Sequence, residues 1–174
     1  QLSTFMALSG LATANSHLTD PRPAWIWAED GKSILWANPA GAAFFGVRSL
    51  SELADLSGLA RAPARPHIMR IAASGPDDRD TTDRLRFYRG LRVMLLTCTC
   101  RRLVLADGSS AALIVANDAP PVRDTALAGL VALVADADDS TAVLYDGKGA
   151  IVDMAGPLDA PEFDTVSTCL RSAK

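Results

Sequence analysis

Apolar residues in this chain fall in short runs separated by Gly, Pro, Asp and Asn, and the period of the runs changes along the chain. Trp25, Ile26 and Trp27 form one run, and Ile34, Leu35 and Trp36 form a second. Glu29, Asp30, Gly31 and Lys32 lie between them, and the Asp-Gly step supplies the positive φ of a tight two-residue turn, so a β-hairpin is predicted. Asn38-Pro39 then stops the second strand. An Asn side chain accepts from the free N–H groups of a first helical turn, and Pro suits the first helical position, so a short helix is expected through Phe44 and Phe45 with Gly46 as its left-handed stop. Ser49 and Glu52 make a capping box for another helix carrying Leu50, Leu53 and Leu56. A third helix is predicted from Pro66 to the Gly75-Pro76 break. Beyond it, Leu85 and Phe87 alternate with Arg84, Arg86 and Tyr88, residues 93–105 are rich in strand formers, Asp107-Gly108 reads as a turn, and residues 111–116 form a last strand.

At the N-terminal end, Leu2, Phe5, Met6, Leu8, Leu11 and Ala12 share one broad face of a helix predicted over residues 2–18, which the prolines at 21 and 23 close. At the other end, Asn117 to Pro121 is a boundary, and residues 123–137 read as a helix with Leu127, Leu130, Val131 and Val134 on one side. Residues 142–154 repeat the strand, Asp-Gly turn, strand logic of the first hairpin, with Tyr145-Asp146-Gly147 where Glu29-Asp30-Gly31 stood. A closing helix is expected over residues 160–172.

Two strands, a helical middle and three further strands make an α+β module built on a five-stranded antiparallel sheet with short helices on one face. Asp30, Gly31, Ile34, Ala37, Asn38 and Ala40 follow the pattern D-G-x-x-I-x-x-A-N-x-A, and in that order of elements the chain resembles a PAS domain. The resemblance divides the chain into an N-terminal amphipathic dimerisation helix (1–19), a PAS domain (20–118), a linker helix (119–140) and a partial second PAS-like unit (141–174). It implies a cytoplasmic sensor and dimerisation module regulating a histidine kinase in two-component signalling, with the downstream kinase domains of the same polypeptide as its partners. The Ala-rich, Arg-rich wording further resembles the tandem-PAS input regions of alphaproteobacterial cell-cycle kinases. The family often ends its last strand on Asp-Ile-Thr, of which only Asp118 is present here.

Composition changes this picture little. The 174 residues are 49% hydrophobic and 21% charged, enough to bury a core, and a net charge of −3 disfavours a general nucleic-acid binder. The longest uncharged apolar run, residues 125–135, is about half of what a membrane span needs. The first residues lack a basic region and read as an internal cut rather than a signal sequence. Charge is unevenly placed: residues 61–102 hold ten Arg against four Asp, and residues 103–174 hold eleven acids against four bases.

Candidate chemistry is sparse. The two histidines, His17 and His67, come with no nucleophile motif, phosphate loop or metal signature, so no catalytic residue and no metal ligand is expected. Cys98 and Cys100 sit two apart on one strand and read as buried small hydrophobes. No cofactor is expected from the residues. The alternative is haem: Pro66-His67-Ile68-Met69 resembles the ligand segment of oxygen-sensing haem PAS kinases, and it implies a gas or redox sensor with His67 on the iron. The motif of flavin photosensors is missing. Trp36, Phe45, Met69 and Phe87 are the pocket candidates for a small ligand. Phe5, Arg84 and Arg86 are the partner-surface candidates, Phe5 for a homodimer and the two arginines for an acidic protein. A ligand-free protein interaction domain is the remaining alternative.

Overall fold

The computed structural model describes residues 2–120, 128–135, 141–145, 148 and 150–156. After α1 (Leu2–Ser9) and α2 (Ala12–Asn15) come β1 (Ala24–Ala28), β2 (Ile34–Ala37), α3 (Pro39–Phe45), α4 (Leu50–Ala54), a 3₁₀ turn (Leu59–Arg61), α5 (Arg65–Ser74), β3 (Thr81–Arg89), β4 (Arg92–Val104) and β5 (Ser110–Ala116). The strands form one antiparallel sheet in the order β2-β1-β5-β4-β3. Both chain ends of the module therefore lie in its middle, because β1 and β5 are neighbours there.

The hairpin is present, but its turn is wider than the two residues expected. Residues 29–33 connect the strands, Ala28 N–H bonds the Ser33 carbonyl, and Gly31 takes φ +63°. The reason is tertiary. Arg65 at the start of α5 donates its Nε–H to the Asp30 carbonyl, and a Cβ on Gly31 would lie 2.9 Å from Arg65 Cγ. The turn is shaped as a seat for α5.

Asn38 caps α3 as expected, its Oδ1 accepting from Gly41 N–H, and Gly46 closes the helix at φ +74°. The same oxygen also accepts from Ala24 N–H, and Nδ2 donates to the carbonyls of His17, Asp20 and Arg22. One buried amide thus satisfies backbone groups of β1, α3 and the incoming chain. Gly41 lets α3 lie against β1, since a Cβ there would be 2.5 Å from the Ala24 carbonyl oxygen. The capping box of α4 is half as expected: Ser49 accepts from Glu52 N–H, but Glu52 reaches back to Arg48 N–H rather than Ser49.

Pairing register sorts the side chains by face. Trp25 and Trp27 look to the same side as Ile114, Cys98, Cys100, Leu85 and Phe87, and α3, α4 and α5 cover that side. Ile26, Trp36 and Leu113 look to the other side. There the N-terminal segment lies. It is not the single helix expected over 2–18, for it breaks at Gly10 and Leu11 and resumes as α2. Phe5, only 2% exposed, stacks on Trp36 with centroids 6.3 Å apart, and Leu8 is buried beside it, while Met6 is 58% exposed. Phe5 is therefore a core residue of its own module and not a residue of a dimer seam. Packing on the sheet buries the apolar surface of Trp36, and that burial favours holding Phe5 there.

After β5 the described part of the expected linker helix is α6 (Ala128–Ala135). Val131, Leu133 and Ala135 are buried, so its apolar residues are not confined to the side expected. It contacts α3 and the hairpin of β6 (Ala142–Tyr145) and β7 (Ile151–Ala155), which pair antiparallel as the echo of the first hairpin predicts. The helix expected over 160–172 lies outside the described residues.

Candidate functional site

The helix-covered side of the sheet carries an aromatic cluster at the β1–β3 end. Trp25 contacts Phe44, Phe45 and Phe87 at 5.3–5.4 Å between centroids, and Trp27 contacts Phe45 and Phe87 at 6.3 and 6.2 Å. Short-range alternation puts the two tryptophans on one face; in register Trp25 is level with Thr81, and Phe87, on the same face six residues further along β3, nonetheless meets them. Next to this cluster opens a cleft of about 280 Å³. Trp27, Phe45 and Phe87 wall it, and residues 56–59, 62, 88 and 90 complete its lining.

The pocket candidates divide accordingly. Phe45 and Phe87 line the cleft together. Trp36 lies on the opposite face of the sheet, where it stacks on Phe5 and donates Nε1–H to Ser9 Oγ at 2.8 Å. Met69 is 39% exposed on the outer side of α5, because Ile68, Ile71 and Ala72 are the residues that helix buries. Trp27, which its place in the hairpin suggests is packing alone, is the residue sequence reasoning missed. It is fully buried, and its Nε1–H has no acceptor among the described residues. No sequence signal distinguishes it from Trp25, whose Nε1–H bonds the Gly41 carbonyl at 2.9 Å.

His67 is exposed and lies one position away from the side of α5 that packs inward. An axial ligand must aim its imidazole into an apolar cavity that holds the macrocycle. On α5 it is the neighbouring Ile68, at 0% exposure, and not His67 that enters the core. The residues present do not fit haem with His67 as ligand, and among the described residues no group of three or more His, Cys, Asp and Glu is placed to hold a metal ion.

Cys98 and Cys100 are buried thiols. Burial and the neighbouring carboxylate of Asp83 push Cys100 up to about 12, and burial together with Cys100 raises Cys98 as well. Both are protonated at neutral pH and make poor nucleophiles.

On the other face, α1 packs on β2, and residues 13, 16 and 17 lie beside Leu113 of β5 and Arg101 of β4. The outer side of β3 and β4 presents Arg84, Arg86 and Tyr88 opposite Thr97, Leu95 and Val93. Tyr88, Leu95 and Val93 are 47%, 43% and 56% exposed, and among the described residues neither Arg84 nor Arg86 has an ion-pair partner. Asp83, the acid nearest in sequence, points to the other face and pairs with Arg70 at 2.6 Å. The two arginines therefore occupy a basic and apolar surface with no carboxylate of its own strands on it.

The chain enters and leaves this sheet at a shared corner formed by the adjoining ends of its inner strands β1 and β5. Asp20 holds Arg22 at 2.6 Å, Arg22 donates to Asn117 Oδ1 at 3.1 Å, and Ala116 N–H bonds the Pro23 carbonyl. Asn117 also pairs with Thr99, and Asp118 accepts from Thr97 N–H at 2.8 Å. Asp118, the one match to the family's closing signature, thus fastens the end of β5 to β4.

No family model matches the chain, and no curated protein matches it. Among solved structures it is similar to the PAS domain of nitrogen regulation protein NR(II) from Vibrio parahaemolyticus, with 18% identity and a TM-score of 0.43 over 62% of this chain and 95% of that one. The PAS domain of Bordetella pertussis BvgS is 11% identical with a TM-score of 0.42 over 94% and 98% of the two chains. A domain of a sensory box sensor histidine kinase/response regulator from Geobacter sulfurreducens is 15% identical, with a TM-score of 0.41 over 63% and 99%. The order of strands and helices in this chain is the one expected from its resemblance to PAS domains. Nothing in these likenesses supports the alphaproteobacterial narrowing. No helix among the described residues is long and apolar enough to cross a membrane.

Proposed function

We propose that this chain is the signal-input module of a histidine kinase in two-component signalling, regulatory rather than catalytic and working in the cytoplasm. Its input is a ligand or partner that changes how the sheet holds the segments flanking it. The observation that carries the reading is the shared corner, where Arg22 of the incoming segment, Asn117 at the end of β5 and Thr99 of β4 are joined by hydrogen bonds. A shift of β4 relative to β5 moves entry and exit together. For an input to act this way it must bind one arrangement of the corner more tightly than the other, since equal affinity shifts nothing.

Asn117→Ala removes the side-chain link and leaves the Asp20–Arg22 pair and the strand ladder in place. In the full-length polypeptide that carries this chain, the variant is expected to change the autophosphorylation rate about fivefold or more, the lower end of ordinary coupling between sites. Stability should move little, because the site is exposed. An unchanged rate would overturn the proposal.

A second reading concerns the partner. Arg84 and Arg86, flanked by exposed Tyr88, Leu95 and Val93, suit an acidic protein surface with an apolar centre. A second copy docking through the same patch would bring four arginines together, so charge favours a different partner.

A further inference from the structure

The three tryptophans of the chain are equally buried and not equally satisfied. Trp25 and Trp36 each donate the indole N–H to a protein oxygen, at 2.9 and 2.8 Å. Trp27 does not, and among the described residues the only other buried side-chain N or O atom without a partner is Arg102 Nε. A buried tryptophan ordinarily finds an acceptor, and a donor left without one loses its water for nothing in return. The unpaired indole is also the one that walls the cleft beside the aromatic cluster.

The cleft restricts what could supply the acceptor. Its lining contains no Asp, Glu, Lys, Arg or His, and Ser57 and Tyr88 are its hydroxyl-bearing residues. A carboxylate or phosphate entering it would give up hydration with no cation to receive it, which is far more costly than burying a neutral group. Phe45, Phe87, Leu56 and Leu59 offer apolar surface, and about 280 Å³ is below the usual range for drug-sized ligands. In the rim Gly58 is left-handed at φ +88°, and the short turn Leu59–Arg61 follows it. The Trp27 N–H is shielded from solvent in this arrangement, so an acceptor in the cleft reaches it only once the lining shifts.

We propose that the cleft binds a small uncharged aromatic or branched aliphatic molecule bearing one carbonyl acceptor, and that Trp27 Nε1–H donates to that acceptor. Its meaning as a signal rests on the reading of the chain as an input module, but the binding itself does not require a kinase. Selectivity follows from the same geometry: the aromatic walls take any apolar body of the right size, and the indole discriminates for the acceptor.

The test uses the 174-residue protein, labelled with ¹⁵N at its tryptophan indoles, titrated with acetophenone and with ethylbenzene, a near isostere that lacks the carbonyl. Acetophenone is expected to move the Trp27 indole resonance downfield to saturation and to bind about fivefold more tightly than ethylbenzene, the effect of one neutral hydrogen bond. Trp27→Phe should erase that preference while ethylbenzene still binds. Equal affinities, a shift confined to the Trp25 or Trp36 resonance, or no binding by either compound would overturn the proposal, the last in favour of a ligand-free interaction domain. If Trp27→Phe does not fold, the comparison of the two compounds on the unaltered protein decides alone. Failure here leaves the Asn117→Ala result untouched, and failure of the kinase coupling leaves the titration untouched.

Discussion

Asn38 is the residue on which most of the local structure depends. Its amide oxygen accepts from two backbone N–H groups, its two N–H hydrogens are shared among three backbone carbonyls, and it is fully buried. Asn38→Ala would leave three carbonyls and two N–H groups without this partner, and a loss of about 2–4 kcal/mol is expected in denaturant unfolding. A loss below about 1 kcal/mol would mean that water replaces the amide. Asp20 acts nearby through charge. Burial opposes its ionised form, but hydrogen bonds from the Arg22 guanidinium, the Arg22 backbone N–H and His17 outweigh that and hold it at about 2, below its ordinary 3.8. Its contribution is therefore fully present above about pH 4 and is lost as the pH falls from there towards 2. Because Arg22 is partly solvated, about 1–2 kcal/mol is expected. Asp20→Asn should be less stable by that amount at pH 7 and should converge with the unaltered protein near pH 2; a gap that stays constant over this range would exclude the charge as its cause.

At the scale of elements, the N-terminal segment changed its role most. Its apolar face is equally compatible with a seam between two copies and with packing on its own sheet. Trp36 decides between them, since β2 turns it to the outer side and α1 closes over it. Phe5→Glu accordingly places a charge inside the module. A loss of at least about 3 kcal/mol is expected, the scale of removing a buried Phe before the carboxylate is counted. Thermal unfolding measures it, and an unaltered melting temperature with a changed sedimentation coefficient would restore the dimer seam. The α3 helix, by contrast, was readable almost completely, because Asn38, Pro39 and Gly46 act through backbone geometry within a few residues of themselves.

At the scale of the molecule, the sheet has one face covered by α3–α5 and the other only partly covered by α1 and α2. The uncovered part carries Arg84 and Arg86, whose exposure alternation along β3 already indicates. The α+β class, the order of the five strands along the chain, the helix caps and the buried cysteines followed from the sequence alone, because period, turn residues and caps are local effects. The strand order across the sheet, the widened turn around Gly31, the outward His67 and the position of Phe5 did not, since each depends on what a distant element presses against it. Trp27 shows the limit most plainly. Alternation sets the face it occupies, but whether its N–H finds an acceptor is fixed by where α3 and the rim of the cleft come to rest. Trp25 has the Gly41 carbonyl within reach and Trp27 has no acceptor among the described residues, although the two stand two residues apart on the same strand.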